Sequence, residues 1–224
     1  MVQELELKLK FICAIEPNAH LAGELDQALG NLGVEYHIIQ SFFNNKFNFD
    51  DELSEKFDLI LFSHSLYSFQ DPWEVVLHSA NFLKPDGKIL ILISGSSCIF
   101  LSLKEYVASK SDPNIYSISK CIASQNVTGE MIIRHSEKSR SSLSTLVMEE
   151  FVYLNVDDFV RKTGASGCSD AISFFLQVEV ERLSEGTKEQ IYRKVADKCV
   201  VRDGKYCLTW PNFGIVVSKC KGLF

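Results

Sequence analysis

The 224-residue sequence lacks a long hydrophobic run and lacks a surplus of basic residues. No apolar stretch approaches the roughly 18 residues of a membrane-spanning helix, so we predict no membrane partner. Lys and Arg number 23 against 29 Asp and Glu, which gives a net charge of −6. Binding to nucleic-acid phosphates needs concentrated positive charge, and this balance therefore predicts no nucleic-acid partner.

The sequence also lacks paired cysteines and lacks histidines at metal-ligand spacing. Its seven cysteines are odd in number and include no Cys-x-x-Cys pair, and its five histidines are scattered. This pattern favours free thiols in a reducing compartment and predicts no metal site. The chain begins with alternating charged and apolar residues, unlike a signal peptide, and we expect a cytoplasmic protein.

What the chain does contain is enough apolar material for a substantial core. Hydrophobic residues make up 46% of it, including 16 phenylalanines. This length suits one domain, and we predict a single domain over residues 1–224. The segment at about 109–146 is rich in serine and poor in periodicity, which predicts an insertion or a lid.

The first half of the chain alternates strand and helix patterns, which is typical of an α/β fold with a parallel sheet. The predicted strands are Lys10–Ile15, Val34–Ile39, Phe57–Phe62 and Lys88–Ile93, and the predicted helices are Asn18–Asn31, Asp50–Glu55 and Trp73–Leu83. A turn is predicted at Lys84–Gly87, because Pro-Asp-Gly is a strong turn signal.

The second half gives weaker patterns. We predict helices over Leu101–Ala108, Val156–Lys162 and Thr187–Lys198, a strand over Ser173–Val180, and a hairpin that pairs Tyr206–Leu208 with Phe213–Val217. The segment Ser94–Ser97 is predicted to be a flexible turn.

Glu16 is the first candidate binding residue, because it ends an apolar strand just before a helix that Asn18 can cap. Open α/β sheets bind ligands at the carboxyl ends of their strands. A carboxylate there can accept hydrogen bonds from the two hydroxyls of a ribose. The alternative is that Glu16 lies in a solvated turn with no binding role.

Three blocks of the sequence, in this order and spacing, resemble class I S-adenosylmethionine-dependent methyltransferases. They are Glu16–Asn18, Phe57–Tyr67 and Phe82–Ile91. Within that class the histamine N-methyltransferase family is the most similar, since Ser94-Gly95-Ser96-Ser97 matches its motif after the fourth strand. The resemblance implies a Rossmann-like sheet with helices on both faces and S-adenosylmethionine as the cofactor.

The resemblance also implies roles for seven residues. The cofactor-binding residues would be Glu16 and Pro17 at the ribose, Gln40 and Ser41 near the adenine, and Ser63. The catalytic residues would be His64, as a base with an ordinary pKa of about 6.5, and Tyr67 in the acceptor pocket. The alternatives are a hydrogen-bonded histidine at a strand end and a core tyrosine. Near the C-terminus, Thr209 or Asn212 is a further candidate for contact with the acceptor.

The sequence departs from the family at the glycine-rich loop and at the first strand, which lies centrally in the family's sheet. No Gly-x-Gly is present, and nothing before Lys10 offers a strand followed by such a loop. Loss of the first strand would leave a gap beside the strands that end at Ile15 and begin at Phe57. Leu5–Leu9, another segment or another chain could fill the gap, or the chain is a shortened gene product. Ile99 and Leu103 replace two pocket tryptophans, and His64 replaces a glutamine, so histamine itself is a poor match as substrate.

The leading hypothesis is therefore methyl transfer from S-adenosylmethionine to a small amine or imidazole-like acceptor. The alternative is a catalytically inactive, truncated methyltransferase-like domain with a binding or regulatory role. A nicotinamide-dependent oxidoreductase also uses a ribose-binding acid, but it shares nothing with the block Phe57–Tyr67.

Overall fold

The computed structural model describes residues 9–49, 57–96, 103, 106, 107, 109, 127–138, 143–156, 173 and 180–219. The chain divides into two compact units, residues 1–52 and residues 53–224. The predictions for residues 5–8, 50–55 and 157–162 fall outside the described residues. No helix in the described ranges is long and apolar enough to cross a membrane.

The N-terminal unit is a strand–helix–strand arrangement. Strand β1 is Phe11–Ile15, helix α1 is Ala19–Gly30 and strand β2 is Glu35–Ile39. The two strands are parallel and pair from Phe11 opposite Glu35 to Ile15 opposite Ile39. The Asn18 side chain caps α1 by accepting hydrogen bonds from the backbone N–H groups of His20 and Leu21. The predicted strand–helix–strand order is confirmed here.

The larger unit contains the longer sheet. Its elements are β3 (Phe57–Ser63), α2 (Pro72–Ser79), β4 (Leu83–Ser94), α3 (Gly129–Lys138), β5 (Leu143–Asn155), α4 (Glu185–Lys198), β6 (Val200–Arg202) and β7 (Lys205–Lys219). The five strands have the order β3-β4-β7-β5, and β6 pairs with β7. Strands β3 and β4 are parallel, whereas β7 is antiparallel to β4, β5 and β6. The α/β class is confirmed.

The core of the larger unit lies on one face of this sheet. Ile89, Ile91 and Ile93 alternate along β4 and are fully buried. Their partners on β7 are Val217, Ile215 and Phe213, which are also buried. Because side chains alternate along a strand, these six apolar residues form one continuous layer.

The turn predicted at Lys84–Gly87 lies inside β4 rather than before it. Phe57 pairs with Leu83, and Leu59 pairs with Lys88, so the four intervening residues of β4 form an irregularity in the parallel ladder. A Cβ at Gly87 would lie 2.7 Å from the Phe57 carbonyl oxygen, which explains why glycine fits there. The turn signal therefore bends the strand locally, and pairing continues on both sides.

The predicted hairpin between Tyr206–Leu208 and Phe213–Val217 is wrong, because both segments belong to the single strand β7. Pro211 reads as an interruption in the sequence, since it cannot donate a backbone hydrogen bond. The β4 ladder ends one residue away, where Ser94 pairs with Asn212, and the Pro211 carbonyl accepts a hydrogen bond from the Gly95 N–H. The hairpin partner of β7 is β6.

The other predictions for the second half of the chain are only partly correct. Helix α4 confirms the helix predicted over Thr187–Lys198. The strand predicted over Ser173–Val180 is wrong at its two described ends, since Ser173 is helical and Val180 begins a 3-10 turn. Within the serine-rich segment, the described residues form α3 and the beginning of β5.

Candidate active site

Three of the predicted cofactor-binding residues lie at one edge of the N-terminal unit. Glu16 directly follows β1 and Gln40 directly follows β2, and the parallel register places Ile15 opposite Ile39. The Ile39 carbonyl accepts hydrogen bonds from the N–H groups of Glu16 (3.1 Å) and Ser41 (3.0 Å). The carboxyl ends of the two strands therefore bring Glu16, Gln40 and Ser41 together, as parallel strands require.

The Glu16 carboxylate is held at the start of α1. Its Oε1 accepts a hydrogen bond from the Asn18 N–H at 2.8 Å. Among the described residues, its other oxygen, Oε2, accepts none. Pro17 is exposed between these two residues. The helix N-terminus favours negative charge at this place, and one carboxylate oxygen is left for hydroxyl donors.

The other predicted residues lie at the end of β3 in the larger unit. Ser63 is the last residue of the strand and is exposed. His64 follows it in the left-handed region, with φ at 50°, and its N–H donates to the Leu92 carbonyl at 2.9 Å. Left-handed backbone is uncommon outside glycine, although histidine is among the residues that tolerate it. The chain therefore turns sharply at His64 while it stays bonded to β4.

His64 and Tyr67 form a pair. The distance from His64 Nδ1 to Tyr67 Oη is 3.4 Å, and the ring centroids are 6.3 Å apart with an interplanar angle of 20°. The Ser94 N–H donates to Tyr67 Oη at 2.8 Å. The Tyr67 hydroxyl thus connects the chain after β3 with the end of β4.

Two arrangements of protons fit this geometry. Either the Tyr67 hydroxyl donates to Nδ1, or Nδ1 carries the ring proton and donates to Oη. In the second tautomer the lone pair of the imidazole is on Nε2. Burial lowers the pKa of His64, which favours the neutral ring at neutral pH. A neutral, half-buried imidazole is suited to accept a proton.

Apart from Tyr67, sequence reasoning missed the residues that hold the end of β4. The segment predicted to be a flexible turn is bonded at Ser94, Gly95 and Ser96, and the last of these bonds reaches Glu130 on α3. Opposite Ser94 in the sheet, the Asn212 Oδ1 atom is buried and has no hydrogen-bond partner among the described residues. The resemblance gave Asn212 as one of two candidates for contact with the acceptor, whereas no local pattern pointed to Glu130.

The described residues contain no group of three or more His, Cys, Asp or Glu side chains that could hold a metal ion. The two predicted groups, around Glu16 and around His64, lie in different units.

A family model described as a methyltransferase domain matches residues 2–131 of this chain. That match spans more than half of the sequence. It includes Glu16, Gln40, Ser41, Ser63, His64 and Tyr67. No curated protein sequence matches the chain.

Solved structures that share its fold include two Bacillus proteins. One is a Bacillus halodurans protein assigned as a candidate methyltransferase, which is 14% identical with a TM-score of 0.56 and covers 95% of this chain and 84% of its own. The other is the YcgJ protein of Bacillus subtilis, which is 13% identical with a TM-score of 0.55 and covers 96% and 93%. Identities this low show a common fold alone, and that fold confirms the predicted class.

Proposed function

This chain belongs to the methyltransferase-domain family, and from that premise we propose that it transfers a methyl group from S-adenosylmethionine to a small amine or imidazole-like acceptor. The observation that carries the proposal is the His64–Tyr67 pair at the carboxyl end of β3. Its imidazole can take a proton from the acceptor nitrogen, and the tyrosine hydroxyl can hold the ring in place.

The residues of the N-terminal unit fit the adenosine half of the cofactor. The Glu16 carboxylate has one oxygen engaged by Asn18 and a second oxygen suited to a ribose hydroxyl. Gln40 and Ser41 would contact the adenine. Ser63, in the larger unit, is a further proposed cofactor contact. For the methionine half we assign no residue, because the sequence has no Gly-x-Gly loop. When bound, S-adenosylmethionine supplies an electrophilic methyl group on a sulfonium.

For methyl transfer to an amine, the protein mainly orients the two reactants and removes a proton from the nitrogen. In the proposed reaction a nitrogen–carbon bond forms as the carbon–sulfur bond breaks, and the acceptor nitrogen loses its proton to His64. The proton is taken by Nε2 in the tautomer whose Nδ1–H donates to Tyr67. Tyr67 therefore orients the ring, and the Ser94 N–H fixes the tyrosine hydroxyl in turn.

Asn212 supports an acceptor that carries N–H groups. Its buried Oδ1 has no partner among the described residues and lies on the strand next to Ser94. A buried carbonyl oxygen without a hydrogen bond costs free energy, on the order of 1–3 kcal/mol, which a donor on the acceptor would remove. We propose that Asn212 accepts a hydrogen bond from the acceptor amine.

The test is transfer of labelled methyl groups from S-adenosylmethionine to a panel of primary amines and imidazoles. We expect transfer by the natural chain, and a reduction in kcat on the order of 10²- to 10⁴-fold in His64→Gln. The exposed His135→Gln is the matched control and should behave as the natural chain does. Asn212→Leu should raise KM for the acceptor. Transfer that persists unchanged in His64→Gln would contradict the assigned role of His64.

The absence of a Gly-x-Gly loop favours a second candidate, a non-catalytic methyltransferase-like domain with a binding or regulatory role. A folded chain that binds neither S-adenosylmethionine nor S-adenosylhomocysteine would support this candidate against the enzyme.

A further inference from the structure

Three consecutive backbone N–H groups at the end of β4 donate to three different parts of the larger unit. Ser94 donates to Tyr67 Oη at 2.8 Å. Gly95 donates to the Pro211 carbonyl at 2.9 Å. Ser96 donates to both carboxylate oxygens of Glu130, at 3.0 and 2.9 Å. A stretch bonded on every residue in this way has little freedom to shift.

Glu130 makes the strongest of these attachments. It is the second residue of α3, and its Oε1 also accepts a hydrogen bond from the Ser96 hydroxyl at 2.8 Å. Burial alone would raise the pKa of Glu130, but hydrogen bonds from its own backbone, from Ser96 and from Thr128 lower it below the ordinary value. The carboxylate is therefore ionised at neutral pH, and its bonds are charge-assisted.

Close packing on Phe213 brings the two segments together. A Cβ added to Gly95 would lie 2.8 Å from the Phe213 ring, and one added to Gly129 would overlap the same ring. Both glycines therefore press their backbones against the same buried ring. Each is followed by the residue that bonds across, Ser96 after Gly95 and Glu130 after Gly129.

We propose that Glu130 is a positioning residue: it fixes Ser94–Ser96 so that the Ser94 amide holds the Tyr67 hydroxyl and, through it, the His64 ring. Its carboxylate contacts Ser96 and acts on His64 only through this chain of contacts. The effect of Glu130 on catalysis rests on the proposed methyl transfer. Its effect on the arrangement of Ser94, Tyr67 and His64 does not.

The test compares Glu130→Ala, Glu130→Gln and the control Glu137→Gln, an exposed residue on the same helix. In Glu130→Ala we expect faster amide hydrogen exchange at Ser96 and Ser94 and a changed ring chemical shift of His64, assigned by its loss in His64→Gln. Glu130→Gln keeps one acceptor oxygen and should restore most of the protection at both amides. Glu137→Gln should change neither measurement. Where activity is found, Glu130→Ala should lower kcat more than it raises KM.

Protection at Ser94 and a His64 ring shift that both stay unchanged in Glu130→Ala would overturn the proposal, whatever the activity. If Glu130→Ala does not fold, the same two measurements are made on Ser96→Ala, which removes the hydroxyl bond to Glu130. Faster exchange at Ser94 and a changed His64 ring shift are expected there, and no change in either would overturn the proposal. Altered exchange and ring shift in a chain that transfers no methyl group would uphold the positioning role while contradicting the proposed function.

Discussion

The two units of this molecule bury their apolar side chains to very different extents. Among the described residues of the N-terminal unit, Leu29 is the only buried hydrophobic side chain, whereas Leu21 and Leu32 are 47% and 58% exposed. In the larger unit, Ile89, Ile91 and Ile93 are all fully buried. A two-stranded sheet with one helix supplies little burial, while a five-stranded sheet supplies a continuous apolar layer.

This difference separates the two groups of candidate residues, which belong to different units. The ribose-binding candidate Glu16 lies on the weakly buried unit, and the His64–Tyr67 pair lies on the deeply buried one. Local stability follows local burial and hydrogen bonding. The residues around Glu16 should therefore unfold locally at a lower free energy than the residues around His64. We expect this order to appear in amide hydrogen exchange, with slower exchange in β4 than in β1.

The largest expected effect is in the core of the larger unit. Ile91→Ala should lower the free energy of unfolding by about 2–5 kcal/mol, because it removes a fully buried side chain from the middle of β4. Leu21→Ala, at a half-exposed position of α1, is the matched aliphatic control and should cost well under half as much. Urea unfolding of each variant measures the change, and equal losses would contradict the difference between the units.

A smaller loss of stability is expected where the backbone at Gly95 and Gly129 packs against the Phe213 ring. Gly129→Ala should destabilise the larger unit by about 1–3 kcal/mol, because the new methyl group would overlap the ring. Gly186→Ala is the control, since a Cβ there meets nothing within 4 Å and alanine favours the helix. Thermal unfolding should separate the two variants, and a neutral Gly129→Ala would show that Phe213 can move away.

Loss of the α1 cap tests the stability of the N-terminal unit separately from that of the larger unit. Asn18→Ala should cost about 1 kcal/mol, because two backbone N–H groups lose their acceptor. We expect faster exchange in α1 and no change in β4, measured by amide hydrogen exchange. Asn45→Ala, at an exposed position of the same unit, should change neither. Equal acceleration in β4 would mean that the two units unfold together.

The smallest expected effect comes from protonation of His64. Its pKa in the folded chain is lowered by burial, so the unfolded chain binds this proton more readily. The contribution of His64 to the free energy of unfolding is therefore full above about pH 6.5 and falls as the pH drops toward the folded pKa. His64→Gln should flatten this part of the stability profile, whereas His135→Gln should not. An unchanged profile in His64→Gln would contradict the lowered pKa.

Local signals in the sequence account for most of the first half of the fold. The apolar run to Ile15 and the cap at Asn18 are contiguous features, and β1 and α1 follow from them. Strand β7 could not be found in this way, because Pro211 interrupts its pattern. In the sheet, Pro211 lies just beyond the β4 ladder and opposite Phe151 of β5. Asp203-Gly204 was a turn signal for the β6–β7 hairpin, since both residues adopt positive φ.

The candidate site residues also differ in whether a local sequence signal could reveal them. His64 and Tyr67 are three residues apart and lie in the family block, so the resemblance could single out both of them. The bond from Ser96 to Glu130 joins residues 34 positions apart. It depends on the joint packing of Gly95 and Gly129 on Phe213, which no periodicity or motif in the sequence expresses.

The most direct measurement is a calorimetric titration of the purified chain with S-adenosylhomocysteine, and with S-adenosylmethionine in parallel. We predict binding with a Kd on the order of micromolar. In Glu16→Ala this binding should weaken by about 10- to 100-fold, the equivalent of one charge-assisted hydrogen bond. Glu24→Ala, an exposed acid on α1, should leave the affinity unchanged. A folded chain that binds neither compound would contradict the proposed methyl transfer.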